Sequence, residues 1–452
     1  MTRVVGARAS GTHDIDQGDS VSEEPFSRPA YGFQRRVGQL GEVDEQGYLV
    51  SHPQEPLWDI YTVTAEVDLD QLRTAWRAAT ADIDTLNFRL RRVGDRVLTE
   101  RLAPVPAGFD VHSVPKAFAD GALHPDVVAL VDPLVTGRHC APGAPTAWLR
   151  VVRDGENTLL TIVVDHTVGD GWSLALLVRR FAMAHRLLRA GKPLELRPLG
   201  GFADFLDRLP DAPTRRRNLD RWRELLADTT PPGPPTLFEK DGPDPDRAFL
   251  LDTHHVFPVE PRVSRAANVL AQRYGTNPAE IWVAAAILAA TRNSRGPQPS
   301  ITMHHGRTRR ADFRVFGPLT EAHVTPAVPA DRTLEDQWRL GRESPPLFGE
   351  TLREEGLFTQ RRFAIDHVPV SPPLVLDREV RGRSLTGKEL EPLKPPSKEP
   401  IPSAASVWIT IYPLGVERAE VLVEAASSAL PEPESIVAAM RDALVSAAGD
   451  VD

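Results

Sequence analysis

The sequence predicts an α/β protein built as two lobes that face each other across a cleft. Three observations carry this. The chain has 452 residues, more than one ordinary domain needs and suited to two. Each half mixes β-hairpins with amphipathic helices over roughly 200 residues, the size of a compact lobe. Between the halves, residues 231–246 are crowded with Pro and Gly, the composition of a crossover or linker.

The elements follow in order. Residues 1–25 are polar and acidic without hydrophobic periodicity, and are expected as a flexible tail. Residues 60–67 alternate as a strand, and Asp68 or Asp70 is placed to cap a helix running to about Ala81. Residues 86–92 and 97–102 flank a turn at Gly94-Asp95 and predict a hairpin. A second hairpin is predicted over 147–152 and 158–164, because Asp154-Gly155 favours a tight reversal. A Leu- and Arg-rich helix follows over 173–190, stopped by Gly191. Residues 201–227 are helical in pattern, with Phe205, Trp222 and Leu226 as apolar anchors. The second half gives a strand over 250–259, a helix over 261–274 stopped by Gly275, and a helix from Asn277-Pro278 carrying the apolar run 281–290. Then come a strand over 300–304, a helix over 333–342, a hairpin over 407–412 and 420–425, and a closing helix over 433–448. The expected division is 26–195 for the N-terminal lobe and 196–452 for the C-terminal lobe with the crossover.

Composition excludes several classes. With 41% hydrophobic and 25% charged residues the chain is not of disordered type. The single cysteine, Cys140, rules out an internal disulfide, a zinc ribbon or an iron–sulfur site, and fits a reducing compartment. A net charge of -9 argues against general nucleic-acid binding. The first residues lack the apolar core of a signal peptide, and the run 281–290 is about half a membrane span. A cytoplasmic protein without a membrane or nucleic-acid partner is expected. Proline is in excess, at 42 residues.

The sharpest motif is Thr161 to Ser173, TIVVDHTVGDGWS. A buried-type strand ends at a polar loop holding His166 and Asp170, and a helix begins directly afterwards. His166 is a candidate general base, since imidazole titrates near neutrality. Asp170 is placed either to cap the helix or to hold an arginine. Gly171 permits close backbone approach to a substrate, and the helix start gathers N–H donors near it. Trp172 is expected as a packing anchor. The adjacent pairs His254-His255 and His304-His305 point to opposite sides if they lie in strands, so no metal site is expected. Arg215–Arg217 and Arg309-Arg310 are either solvated charge runs or a dock for an acidic carrier protein.

His166-x-x-x-Asp170-Gly171, extended by Trp172-Ser173, resembles the active-site motif of nonribosomal peptide synthetase condensation domains, which belong with chloramphenicol acetyltransferase and the polyketide-associated acyltransferases. Further segments resemble the family in order: residues 67–90, Gly201 to Phe205 with Asp220-Arg221-Trp222, residues 277–291, His305-Gly306-Arg307, and Phe316-Gly317-Pro318-Leu319. The resemblance implies a pseudo-dimer of two chloramphenicol-acetyltransferase-like lobes with an active-site tunnel between them. It implies a free-standing condensation enzyme in natural-product biosynthesis, transferring an acyl group from a thioester on phosphopantetheine or coenzyme A to an amine or hydroxyl. No covalent cofactor is implied. An acyl or peptidyl carrier protein acting in trans and a small amine or alcohol would be the partners of a monomer.

By the same resemblance His166, Asp170 and Gly171 are the expected catalytic positions. Asp165, Trp172, Ser173, Arg307, Gly317 and Glu321 are the expected substrate-facing ones. Arg307 is a candidate partner for Asp170 across the lobes, or else a surface arginine. Two departures stand out. Asp165 replaces the first of the family's paired histidines, and Glu321-Ala322 replaces its usual Asn-Thr. Asp165, Asp170 and Ser173 also fit the Asp-x4-Asp-x2-Ser pattern of heterocyclisation domains, which lack the histidine kept here at 166. A catalytically silent recruitment domain is the other alternative.

Overall fold

The computed structural model describes residues 26–52, 56–63, 67–119, 122–209, 212–227, 249–293, 300–304, 306–307, 311–344, 363–369, 401–403, 405–413, 417, 419–425, 430 and 432–449. Residues 1–25, 231–246, His305 and Arg309-Arg310 lie outside them.

The first half is organised on a four-stranded mixed sheet, in the order Leu57–Val63, Thr158–Val164, Ala147–Arg153, Gly108–Ser113. The expected hairpin forms it centrally, with Ala147 opposite Val164 and Arg153 opposite Thr158. All seven residues of Thr158–Val164 are buried, as its continuous run of Leu, Ile and Val requires for a strand covered on both faces. On one face pack Leu69–Thr80 and Gly171–Arg189, the former capped by Asp68, which accepts from the N–H groups of Asp70 and Gln71. Pro125–Thr136 covers the other face.

The second half centres on a six-stranded sheet ordered Thr253–Val259, Ala419–Ala425, Ala405–Pro413, Phe363–Pro369, Ser300–His304, Glu321–Thr325. The helices Pro261–Tyr274, Pro278–Arg292, Leu334–Glu343 and Pro433–Ala448 contribute with it to one apolar core. The Ala-rich helix Pro278–Arg292 lies at its centre, with Ile281 to Ala290 buried except for Val283. Among the described residues no helix is long and apolar enough to cross a membrane.

Two expected elements are broken. The strand over 250–259 splits at Asp252: Phe249–Leu251 pairs with Ile401–Ser403, and Thr253–Val259 with Ala419–Ala425. The helix over 201–227 is two, Phe202–Asp207 and Ala212–Ala227, as prolines at 210 and 213 disfavour a continuous helix.

The lobes are stitched together where the motif lies. Phe202 and Phe205 of the helix Phe202–Asp207 pack with Tyr31 and Phe88 of the first half and with Val315 and Leu319 of the second. Phe316 belongs to the first lobe's own core. The segment around 312–320, assigned by sequence to the C-terminal lobe, therefore sits on the N-terminal one.

Candidate active site

The site is built on the end of the strand Thr158–Val164. Asp165 N–H continues the ladder to the Thr146 carbonyl at 2.8 Å, and the chain then turns. The Asp165 carboxylate accepts from Thr167 N–H at 2.9 Å, the Thr167 hydroxyl at 2.6 Å and His139 N–H at 2.9 Å. The far side of the turn is held by Gln34, whose amide donates to the Thr167 carbonyl at 2.7 Å. His166 is presented between these anchored neighbours and is half-buried, whereas Asp165 and Thr167 are buried.

Four residues on, Asp170 is the N-cap of Gly171–Arg189, accepting from Ser173 N–H and the Ser173 hydroxyl at 2.8 Å each. Its second oxygen accepts from Arg307 Nη1 at 2.8 Å, from Leu319 N–H at 3.0 Å and from Thr320 N–H at 2.8 Å. Both of the uses open to Asp170, capping a helix and holding an arginine, are realised together. Arg307 is not a surface arginine: its side chain and that of Asp170 are 0% and 1% exposed. The guanidinium also donates to the Val315 carbonyl at 3.1 Å. An ion pair this deep, with further hydrogen bonds to Ser173, Val315, Leu319 and Thr320, ties the helix start to Arg307 and to residues 315–320.

The remaining candidates fall around this pair. Ser173 Oγ accepts from Gly317 N–H at 3.0 Å. Gly317 faces Phe202 so closely that a Cβ there would come within 2.6 Å of the ring. Trp172 donates its indole N–H to the Phe313 carbonyl at 3.0 Å and meets the Phe313 ring edge-on, so its packing role includes bridging the lobes. Gly171 is exposed, and a Cβ there would have no neighbour within 4 Å. Glu321 starts the strand Glu321–Thr325, opposite His304. Asp165 differs from the substrate-facing position expected of it. Its carboxylate is turned into the protein and fully buried, because its acceptors are taken up by the loop it anchors.

Sequence reasoning missed His52, which faces Asp165 at 3.4 Å across 113 residues, as well as Gln34 and His139. None carries a local signal, since each reaches the motif only through tertiary packing.

The electrostatics suit a base. Burial lowers the His166 imidazole below its ordinary value, and the electrostatic influence of His52 acts in the same direction. A hydrogen bond from the ring to its own backbone and the carboxylates of Asp170 and Asp165 oppose this without reversing it. The ring is neutral at pH 7. In a neutral imidazole, one nitrogen donates and the other accepts. Cys140 is no competitor: burial, with Asp165 beside it, pushes its thiol up to about 12, and the thiolate is the nucleophilic form.

Gly306 tests the clamp. It has φ +65°, and a Cβ there would lie 1.9 Å from the Leu319 carbonyl oxygen. Gly306→Ala is expected to lower the thermal unfolding midpoint, costing at least about 1–3 kcal/mol for the left-handed backbone alone. An unchanged midpoint would show that the Arg307 segment is not held as described.

No protein-family model matches the chain. Over 178 residues, 38% of the chain, it is 25% identical to chondramide synthase cmdD of Chondromyces crocatus, and it spans only 4% of that protein's length. Among solved structures it is similar to the first condensation domain of the CDA synthetase, at 16% identity and TM-score 0.65, covering 87% of this chain and 92% of that one. The condensation domain of the Monacolin K polyketide synthase MokA gives 14% identity and TM-score 0.66, covering 93% and 96%. The epimerization domain from the third module of tyrocidine synthetase B gives 14% and 0.65, covering 87% and 92%. The chain has the condensation-domain fold. That an epimerization domain shares it means that the fold alone does not fix the reaction.

Proposed function

We propose that this protein is a condensation enzyme that transfers an acyl group from a carrier-protein or coenzyme A thioester to an amine or hydroxyl, forming an amide or ester. One observation carries the reading most: His166 is half-buried at the end of a buried strand, on a loop whose carboxylates Asp165 and Asp170 are both anchored to protein. The acceptor's nitrogen or oxygen attacks the thioester carbonyl carbon while His166 takes its proton. The tetrahedral oxyanion meets backbone N–H groups at the helix start around Gly171. The carbon–sulfur bond then breaks, and the thiolate leaves with the proton that His166 returns. The products are the amide or ester and the free thiol of the arm. Transfer is direct between two bound substrates, since Cys140 is buried and protonated. The substrates would meet between the lobes, with Arg307, Asp170 and Ser173 holding that junction in place of touching them.

The experiment is to incubate the protein with acylated carrier proteins or acyl-coenzyme A and a panel of amines and alcohols, and to identify products by mass spectrometry. An amide or ester supports the reading. A dehydrated ring from a Cys, Ser or Thr acceptor would replace it by cyclisation, and binding without product by recruitment. The pattern Asp165, Asp170 and Ser173 gives cyclisation little support, because all three side chains are buried and bonded to protein.

The pH dependence has a definite sign. Neutral His166 is the working form, and its pKa is lowered. With an alcohol acceptor, which does not titrate in this range, kcat/KM should stay level through neutrality. It should fall on the acid side with a midpoint below the ordinary imidazole value of about 6.5. A midpoint above that value would contradict the assignment.

A further inference from the structure

We propose that His52 and Asp165 form a buried clamp that positions His166, so that Asp165 serves the reaction as a positioning residue and not as a substrate ligand. The inference rests on the reading of His166 as the base.

The geometry comes from three separate segments. His52 and Asp165 are both fully buried at the side chain, with His52 Nε2 at 3.4 Å from the carboxylate. The His52 carbonyl accepts from Arg138 Nε at 2.6 Å, and the next residue, His139, gives its backbone N–H to Asp165. Asp165 thus gathers residues 52, 139 and 167 around one carboxylate, and His166 is covalently bound to it on the exposed side. A side chain enclosed in this way cannot reach a substrate, but it fixes the backbone from which the imidazole projects.

The same place offers a metal-like set, because His52, Cys140 and Asp165 bring nitrogen, sulfur and oxygen within 4.8 Å of one another. One observation counts against a cation there: the buried Arg89, whose guanidinium donates to the carbonyls of Leu86, Phe88, Ala141 and Ala144, acts electrostatically on both Asp165 and Cys140, so a positive charge already faces the cluster.

The titratable groups that act on His166 are Asp165, Asp170 and His52, and Arg89 and Arg138 act on Cys140. Of these, Asp165 raises the His166 pKa and His52 lowers it. Neutralising Asp165 should thus lower it further.

Asp165→Asn, His52→Gln and the double variant test this. Each single variant should lower kcat by about a hundredfold, the scale of a displaced reacting group, with KM unchanged. The double variant should lose little more than either single one. An elevated KM with kcat retained would overturn the proposal, since Asp165 would then contact substrate. So would additive losses. A substrate-free readout separates this from the acyl-transfer reading: NMR titration of the His166 ring should move downward in Asp165→Asn. Coincident titrations in the folded variant would overturn the clamp whether or not the protein transfers acyl groups. Should Asp165→Asn not fold, the His52→Gln titration serves instead, and it should move upward. Finally, zinc added to the wild type should leave the unfolding midpoint unchanged. A zinc-dependent rise abolished by His52→Gln would also overturn the proposal, in favour of a metal site.

Discussion

His166→Ala is expected to lower the acyl-transfer rate by roughly a hundred- to ten-thousand-fold, the usual worth of a positioned general base, while the protein remains folded. The reason lies in what surrounds the ring. The loop is anchored through Asp165, Thr167 and Gln34, and the imidazole is the half-buried member of the series. Removing it takes away the proton acceptor and leaves the scaffold in place. Thermal unfolding should be nearly unchanged, and donor and acceptor should still bind. Near-wild-type turnover would end the assignment of His166 as base. Collapse of the fold would show that the ring is structural.

Asp170→Ala has the opposite profile: a large loss of stability, with activity lost as a consequence. It removes the anion from a pair in which both side chains are buried. Arg307 would be left with neutral carbonyl acceptors such as those of Val315 and Gly317, and Leu319 and Thr320 N–H groups would lose their acceptor. Breaking a buried pair from one side costs about 3–5 kcal/mol. At about 2–4 °C per kcal/mol for units of this size, the unfolding midpoint should fall by roughly 10 °C. Arg307→Met should cost less, because Asp170 keeps the N–H donors of Ser173, Leu319 and Thr320. If Arg307→Met proved the more damaging of the two, the Asp170-centred account of the junction would fail.

The acid limb adds a check on the same pair. Arg307 and the N–H donors hold the Asp170 carboxyl below its ordinary range against the penalty of burial. A depressed carboxyl contributes stability above its unfolded value, about 3.9, and that contribution is lost as pH falls through the lowered one. Wild-type stability should therefore decline below about pH 4, more steeply than that of Asp170→Ala.

How much of this was legible in the sequence depends on the range of the interaction. The hairpin Ala147–Arg153 to Thr158–Val164 follows from an Asp-Gly turn between apolar runs, and its bounds are met nearly to the residue. The helix Pro261–Tyr274 lies between a proline start and Gly275 at φ +64°, signals that are local and strong. The helix after the motif starts at Gly171, two residues before the predicted start, because Asp170 is its cap. Most of what failed was non-local. The strand Gly108–Ser113 pairs in parallel with Ala147–Arg153, a partner that no turn announces. One miss was local: the helix Pro125–Thr136 carries Pro133 inside it, a residue that argues against a helix. At the site, His166 and Asp170 could be found from spacing along a strand–loop–helix. The inward turn of Asp165 could not, since its partners His52 and His139 lie 113 and 26 residues away.

The central claim is that this scaffold carries acyl transfer with His166 as base. The most direct measurement is a single-turnover reaction of an acyl thioester with an amine or alcohol acceptor, followed by mass spectrometry for wild type and His166→Ala side by side. The account predicts amide or ester product from the wild type, and a rate at least about a hundredfold lower in the variant. Equal rates in the two proteins, or no product from the wild type with any thioester that binds, would contradict it.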